Sequence, residues 1–220
     1  MIIAIDESNK GTTIGDLVVS GILIDDITEQ MSFKYSKTPI KDSKKLSRKQ
    51  RELAFPEIIR LAYDTKMVFI KPSEMEEENL NKLEAMAVAE IVSHFVERVG
   101  AGTITAVYID NYEISKEHFF KRLKELTPEL CGIPESKWVV EHKADENYLC
   151  VGAASIVSRV MSDMQHDRYR HVFGDYGSGC ASDAKTKKFI RDRIDDLPRI
   201  VRKSWGNVRR IKEESMRRFE

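Results

Sequence analysis

The pattern of hydrophobic and polar positions along the chain predicts five short strands. The first strand, residues 1–5, and the second, residues 17–24, are runs of β-branched and small apolar residues. Such runs favour strands and fall far short of the ~20 residues that cross a bilayer. Apolar runs at 66–70, 103–109 and 138–140 predict three more strands. The first two strands lie close enough in the chain to pair as a hairpin.

Helical periodicity accounts for most of the remaining chain. Ser47 and Gln50 have the spacing of a capping box at the start of a helix. Helices are predicted from residue 47, at 76–99, 115–126 and 145–173, from 185, and after 205. Strands, then mixed elements, then helices predict an α/β fold with a mixed sheet flanked by helices and a helical C-terminal extension. We predict a catalytic domain at residues 1–183 and a basic extension packed on it at 184–220.

Charge is distributed unevenly, although the formal net charge is zero. Residues 185–220 contain 13 Lys and Arg against 6 Asp and Glu, so the rest of the chain is acidic by the same margin. A basic tail on an acidic body is typical of a polyanion-binding surface beside a cation-binding centre. A pair of solvated amphipathic helices would carry a similar excess of basic residues. Composition alone therefore does not decide between a polyanion-binding surface and ordinary solvated helices.

Three cysteines, Cys131, Cys150 and Cys180, form no Cys-x-x-Cys pair. Their number and spacing favour a reducing compartment over a disulfide framework or a structural zinc site. The acidic start of the chain is unlike a secretory leader. We therefore expect a cytoplasmic protein without a membrane segment.

Carboxylates follow the predicted strands at three places. Asp6 and Glu7 end the first strand, Asp110 ends the fourth, and Asp145 begins a helix after the fifth. If the first and fourth strands are parallel neighbours, Asp6 and Asp110 lie side by side, where ligands bind in open α/β sheets. Asp110 is equally typical of a turn and Asp145 of a helix N-cap. Adjacent strand residues point to opposite faces, so Asp6 and Glu7 share a centre only if the strand ends or bulges there.

Carboxylate ligands without a histidine cluster or thiolates suit Mg²⁺ or Mn²⁺ better than zinc. Several carboxylates can hold two such ions about 3.5–4 Å apart, an arrangement that supports phosphodiester hydrolysis. The residues by themselves thus predict a divalent-metal centre.

Five blocks of residues, in order along the chain, resemble the type 2 ribonucleases H, the ribonuclease HII family, and most closely its archaeal members. The similarity covers nearly the whole chain. The blocks are Ile5-Asp6-Glu7 with Gly11 and Gly15, Asp42-Ser43-Lys44-Lys45-Leu46, Tyr108-Ile109-Asp110, His142-Lys143-Ala144-Asp145 with Ala153-Ala154-Ser155-Ile156, and Gly177-Ser178-Gly179 with Ser182-Asp183, Ile200-Val201-Arg202-Lys203 and Trp205.

The resemblance implies a ribonuclease H fold and Mg²⁺- or Mn²⁺-dependent cleavage of the RNA strand in RNA/DNA hybrids, or in DNA that contains ribonucleotides. It implies that Asp6, Glu7, Asp110 and Asp145 are the catalytic, metal-binding carboxylates. Asp163 aligns with a further acid of the family, and we interpret it as an indirect contributor or an exposed residue. The nucleic-acid contacts implied by the resemblance, or by the basic tail, are Asn9, Lys10, Gly11, Ser43, Lys44, Lys45, Asn81, Lys143, Cys180, Arg202 and Lys203.

Two departures from the family pattern concern recognition of an RNA–DNA junction. The family's Gly-Arg-Gly is here Asn9-Lys10-Gly11, and lysine lacks the planar fork of arginine. The tyrosine that follows Gly-Ser-Gly in the family is here Cys180. Tyr176, in the same loop, is a candidate substitute. We predict altered recognition of single embedded ribonucleotides.

Two alternatives remain open at this stage: a nucleic-acid-binding paralogue with weak or no turnover, and a nuclease of the same fold acting on another nucleic acid. The last five residues lack the glutamine and paired aromatics of a sliding-clamp motif, so no clamp tether is predicted. The family resemblance favours a monomer.

Overall fold

The first strand lies at the centre of a five-stranded mixed sheet in the computed structural model, which describes residues 1–27, 33, 36, 40, 43–110, 116–127 and 130–217. The sheet order is β3-β2-β1-β4-β5. Strands β1 to β3 are antiparallel neighbours, whereas β4 and β5 run parallel to β1. The strands are β1 Ile2–Ser8, β2 Leu17–Ile24, β3 Asp64–Ile70, β4 Ala106–Asp110 and β5 Trp138–Glu141.

The helices cover both faces of this sheet and form the C-terminal part of the chain. They are α1 Arg48–Leu61, α2 Glu74–Glu77, α3 Leu80–Val99, α4 Lys116–Leu126, α5 Ala144–Asn147, α6 Leu149–Phe173, α7 Ala184–Arg191 and α8 Gly206–Met216. The predicted capping box is present, because Ser47 Oγ accepts from the Gln50 N–H and the Gln50 side chain accepts from the Ser47 N–H. The predicted α/β fold with a helical C-terminal extension is confirmed.

Alternate residues of β1 enter two separate cores. Ile3 and Ile5 pack on the α3 side with Ile91 and Phe95. Ala4 packs on the other side with residues of α6 and α1. Complete burial of one such aliphatic side chain contributes about 1.5–3 kcal/mol to the free energy of folding. The strict alternation also fixes which of the two acids at the end of β1 faces which layer.

The predicted continuous helix at 145–173 is wrong at its start. Tyr148 has an extended backbone and separates the short α5 from α6. Its ring stacks on Tyr108 of β4 at 4.3 Å between centroids, and its hydroxyl donates to Glu141. These contacts with the sheet hold Tyr148 outside the helix, and periodicity along one segment carries no signal for them.

The C-terminal helices share a third core with the loop after β1. Ile14 packs there with Tyr176, Ile190 and Val208, and it forms an isolated antiparallel bridge with Val201. The division at residue 183 remains a prediction. None of the helices in the described ranges is long and apolar enough to span a membrane. Asp42 and residues 218–220 lie outside the described residues.

Candidate metal centre and cleft

Three of the predicted acids converge at the end of the sheet. Asp6, Asp110 and Asp145 each offer a carboxylate oxygen, and these oxygens lie within 4.8 Å of one another. All three side chains are buried. The acids come from β1, the end of β4 and the first turn of α5, which are far apart in the chain. The predicted convergence of these three positions is therefore present.

The sheet register explains the convergence of Asp6 and Asp110. Strands β1 and β4 are parallel neighbours, with Ile5 opposite Ile109, so the next residue of each strand lies at the same edge. Asp145 joins them because the Ala144 N–H donates to Asp110 Oδ1 at 3.0 Å. Lys143, in a left-handed conformation with φ of 64°, makes the turn that begins α5. Asp145 therefore lies in the first helical turn and is not the N-cap.

Burial and mutual repulsion dominate the electrostatics of the three acids. Burial, followed by the charge of Asp110, raises the pKa of Asp6 to about 8, although hydrogen bonds from Ser155 and the Glu7 N–H act in the opposite direction. Burial also raises the pKa of Asp110, against the hydrogen bond from Ala144 and the charge of Lys44. Lys44 Nζ lies 3.9 Å from Asp145. One lysine cannot neutralise three buried carboxylates, so the site favours an added positive charge.

The donor atoms fit a divalent cation. Asp110 Oδ2 is buried and accepts no hydrogen bond from the described residues. An orphaned buried carboxylate oxygen is costly unless a cation binds it. Closely spaced carboxylate oxygens are the ligands that Mg²⁺ and Mn²⁺ prefer. The acidic triad can therefore hold such an ion.

Glu7 occupies a different position from the other acids. Strand β1 continues through Ser8 without a bulge, so Glu7 shares the α3-facing side with Ile3 and Ile5 and lies outside the triad. Its half-buried carboxylate has a pKa well above the usual range because of burial and the nearby charge of Glu84. The predicted role of Glu7 as a metal ligand remains a prediction.

A buried glutamate that the sequence analysis missed lies beside Glu7. Glu84 is on α3, and both of its carboxylate oxygens bind Lys10 Nζ, at 2.9 and 2.7 Å. Glu84 is a charged residue among the buried, mostly apolar residues of α3. This break in the apolar pattern was the sequence signal that could have identified it. The amine of Lys10, predicted to face nucleic acid, is thus held by a carboxylate.

A cavity of about 520 Å³ opens beside the triad and collects most of the predicted nucleic-acid contacts. Two of its lining residues contact the triad, since Lys44 Nζ lies 3.9 Å from Asp145 and Ser155 hydrogen-bonds Asp6. Its lining residues are Glu7, Ser8, Asn9, Lys10, Gly11, Thr12, Ser43, Lys44, Ser155, Arg159 and Cys180.

Five predicted contacts lie outside this cavity lining: Lys45, Asn81, Lys143, Lys203 and the buried Arg202. Lys45 and Lys143 are exposed and pair with opposite oxygens of Glu146, at 2.7 and 3.5 Å. Asn81 is half-buried in the first turn of α3, and the exposed Lys203 lines a separate cavity against α8. Contacts by the first four of these residues with nucleic acid remain predictions.

Arg202 requires a correction. We predicted that it would hold the duplex, but its side chain is fully buried. Its guanidinium donates to the carbonyl oxygens of Asn9, Lys10 and Gly15 at 2.6, 2.7 and 2.9 Å. Arg202 therefore supports the loop that lines the cavity and does not reach the surface. Sequence position in a basic tail cannot distinguish a buried arginine from an exposed one.

Tyr176 is not available to replace the missing junction tyrosine. It is fully buried in the third core, and its hydroxyl lies 2.6 Å from His166 Nδ1. The other ring nitrogen of His166 lies 3.2 Å from Asn9 Oδ1. The Asn9 side chain thus points inward, toward His166, from a left-handed backbone with φ of 73°.

Comparison with known proteins gives a consistent result. The ribonuclease HII family matches residues 3–208. Ribonuclease HII of Methanococcus maripaludis is 35% identical, over 97% of this chain and 87% of the relative. The crystal structure of ribonuclease H2 from Pyrococcus horikoshii has a TM-score of 0.79 at 29% identity and covers 97% of both chains.

A second solved structure is the PCNA:RNase HII complex from Archaeoglobus fulgidus. It matches with a TM-score of 0.77 and 32% identity, over 95% of this chain and 97% of that chain. Sequence and fold agree over nearly the full length, and the buried acidic triad lies at the predicted end of the sheet. This chain therefore belongs to the ribonuclease HII family of endoribonucleases.

Proposed function

We propose that this chain hydrolyses the RNA strand of RNA/DNA hybrids with two divalent ions, Mg²⁺ or Mn²⁺. The observation that carries the proposal is the set of three buried carboxylates within 4.8 Å of one another beside an open cavity. Asp6, Asp110 and Asp145 would hold the ions, and Glu7, on the opposite face of β1, would complete the set. Such ions would supply activation of a water for attack on phosphorus and charge stabilisation for the departing ribose oxygen.

The protein's own groups position the acids and the nucleic acid. The Ala144 N–H holds Asp110 Oδ1, and the Glu7 N–H holds Asp6 Oδ1 at 2.7 Å. Ser155 Oγ and Ser43 Oγ are hydrogen-bonded at 2.8 Å, which links α6 to the segment that carries Lys44. Lys44 supplies positive charge for the phosphate backbone. Cleavage leaves a 3′-hydroxyl and a 5′-phosphate.

We further propose that recognition of a single embedded ribonucleotide is weakened. Lys10 Nζ is bound by Glu84, and a lysine offers no planar fork to a ribose hydroxyl. Cys180 lines the cavity where the family has a tyrosine, and a thiol neither stacks on a sugar nor donates as a phenol does. Tyr176 is buried, which supports the absence of a substitute from that loop.

The decisive experiment is a cleavage panel in Mg²⁺ and in Mn²⁺. The substrates are a hybrid with four consecutive ribonucleotides, a DNA duplex with one ribonucleotide, duplex DNA and duplex RNA. We expect cleavage of the hybrid and slower cleavage at the single ribonucleotide. Equal or faster cleavage of the single-ribonucleotide duplex would refute the specificity proposal.

The same panel separates the alternative functions. Salt-dependent hybrid binding without cleavage in either metal identifies a binding paralogue. Preferred cleavage of duplex DNA or duplex RNA identifies a nuclease with another substrate. Either result overturns the proposed hybrid cleavage.

Partners beyond nucleic acid also belong to this proposal. The relative from Archaeoglobus fulgidus was solved with PCNA. We propose that this chain acts as a cytoplasmic monomer. Light scattering of the protein alone tests the oligomeric state, and titration with an archaeal PCNA in an isothermal calorimeter tests whether this chain binds the same partner.

A further inference from the structure

Arg159 is an exposed arginine in the lining of the catalytic cavity that the sequence analysis did not single out. It lies on α6, one helical turn after Ser155, and its side chain is 44% exposed. Residues four apart on a helix lie about 5–6 Å from each other on one face. Ser155 hydrogen-bonds Ser43 and also interacts with Asp6. Arg159 therefore lies one turn from the serine that contacts Asp6, on the helix face that borders the cavity.

A carboxylate fixes the orientation of this arginine. Arg159 Nε lies 3.3 Å from Asp163 Oδ1, and Asp163 Oδ2 accepts from Arg51 Nη2 at 2.8 Å. Arg51 also donates to the carbonyl oxygens of Ser43 and Leu46 at 3.2 and 2.7 Å. Asp163 and Arg51 are only 15% and 11% exposed, so the carboxylate that pairs with Arg159 is itself anchored within the structure. Asp163, which we had interpreted as indirect or exposed, is thus a bridge between two arginines.

The pairing leaves one edge of the guanidinium for a ligand. Arg159 contacts Asp163 through Nε, and its two Nη groups donate to none of the described residues. Two parallel N–H groups on one edge match the geometry of a phosphate. The side chain thus presents an oriented anion-binding edge at the cavity.

Charge balance distinguishes Arg159 from the cation on the opposite wall. Lys10 is bound by Glu84, which makes that pair neutral. Asp163 is shared by Arg51 and Arg159, so this trio carries a net charge of +1. The α6 wall therefore carries an excess positive charge, in addition to the charge of Lys44 beside Asp145.

We propose that Arg159 binds a backbone phosphate of the nucleic acid strand next to the cleavage point, and that Asp163 is its positioning residue. The inference rests on the proposed function, because it requires nucleic acid in this cavity. Arg159 contacts substrate and takes no part in proton transfer or metal binding.

The test measures hybrid binding without turnover, in EDTA, over a range of salt concentrations. Arg159→Ala should weaken binding about tenfold and reduce the slope of log affinity against log salt by about 1, the contribution of one phosphate contact. Arg159→Lys should restore the slope and recover only part of the affinity, because lysine binds phosphate as a point charge. Arg168→Ala is the matched control. Arg168 is exposed on the same helix nine residues later, about two and a half turns along, and therefore projects from roughly the opposite side of the helix.

Asp163→Asn provides the positioning readout. It should lower affinity, although the net charge of the trio rises from +1 to +2, because Arg159 loses its positioning partner. The salt slope should not fall, because the arginine still contacts the phosphate. Equal effects of Arg159→Ala and Arg168→Ala on affinity and slope would overturn the inference. The phosphate contact and the proposed cleavage can fail separately. If only Arg159→Ala changes the slope of log affinity against log salt, and the unmodified protein cuts no hybrid, the phosphate contact is supported and the proposed cleavage is refuted.

Discussion

The backbone N–H of Ala144 donates a hydrogen bond of 3.0 Å to Oδ1 of Asp110. This bond joins the end of β4 to the start of α5 and brings Asp145 beside Asp110. Because Oδ1 is occupied in this way, Oδ2 of Asp110 is the oxygen offered to a cation. The relationship explains how two acids 35 positions apart belong to one site.

Asp110→Asn should abolish metal-dependent cleavage, with a loss of about a thousandfold or more, because an amide is a poor ligand for Mg²⁺. The same change should leave the metal-free protein at least as stable as the unmodified chain, since it removes one of three repelling buried charges. Cleavage assays and urea unfolding in EDTA measure the two effects. Asp195→Asn, at an exposed position, is the control. Retained activity in Asp110→Asn contradicts the site assignment.

The stability of the metal-free protein should fall as pH rises between about 6.5 and 8. Asp6 has a folded pKa of about 8, above the unfolded value of about 3.9, so the folded state holds a proton that the unfolded chain has lost. That contribution is complete below the unfolded pKa and is lost as pH rises through the folded one. Burial lowers the pKa of His166 to about 4, below its unfolded value of about 6.5. Protonation of this histidine therefore favours the unfolded chain, so its contribution makes stability rise with pH, but only below about pH 6.5.

Urea unfolding at several pH values in EDTA measures this dependence. Asp6→Asn should flatten it, and saturating Mg²⁺ should raise the free energy of unfolding most at the high-pH end, where the carboxylates are charged. An unchanged slope in Asp6→Asn would show that another group causes the effect.

The pair between Lys10 and Glu84 should be worth more than a surface ion pair. A double-mutant cycle with Lys10→Ala and Glu84→Gln should give a coupling energy of about 1–2 kcal/mol, because Glu84 is buried and binds the amine through both oxygens. The exposed pair between Lys185 and Asp175, at 2.8 Å, is the control, and its coupling should be much smaller because solvent screens both charges. Similar couplings for the two pairs would contradict the structure.

Arg202→Lys should destabilise the protein by about 3 kcal/mol or more. The guanidinium donates to three carbonyl oxygens through three different nitrogens, and the single amine of lysine cannot reach all three simultaneously. Cleavage should fall mainly through a higher KM, because these carbonyls belong to the loop that lines the cavity. Lys203→Ala, at the exposed neighbour, should change stability by less than about 0.5 kcal/mol. Denaturant unfolding and steady-state kinetics check both expectations. If Arg202→Lys changes stability no more than Lys203→Ala does, then Arg202 does not stabilise the cavity loop as we infer.

The amino-acid sequence by itself determined the five strands, most helices and the position of the acids. These features depend on local patterns: β-branched runs form strands, a Ser47–Gln50 box begins α1, and Asp6 and Asp110 directly follow apolar runs. Once β1 and β4 are parallel neighbours, their ends must meet at one edge. Given that pairing, the convergence of Asp6 and Asp110 was predictable from the sequence pattern, whereas only the family resemblance placed Asp145 with them.

Only the tertiary structure decided how individual polar side chains are used. Arg202 and Lys203 are adjacent basic residues, yet one is buried beneath the cavity loop and the other is exposed. Tyr148 leaves the helix because of its contacts with the sheet, and Lys10 binds a glutamate 74 positions away. Burial and pairing of this kind arise from contacts between distant segments, and the local sequence around each residue carries no record of them.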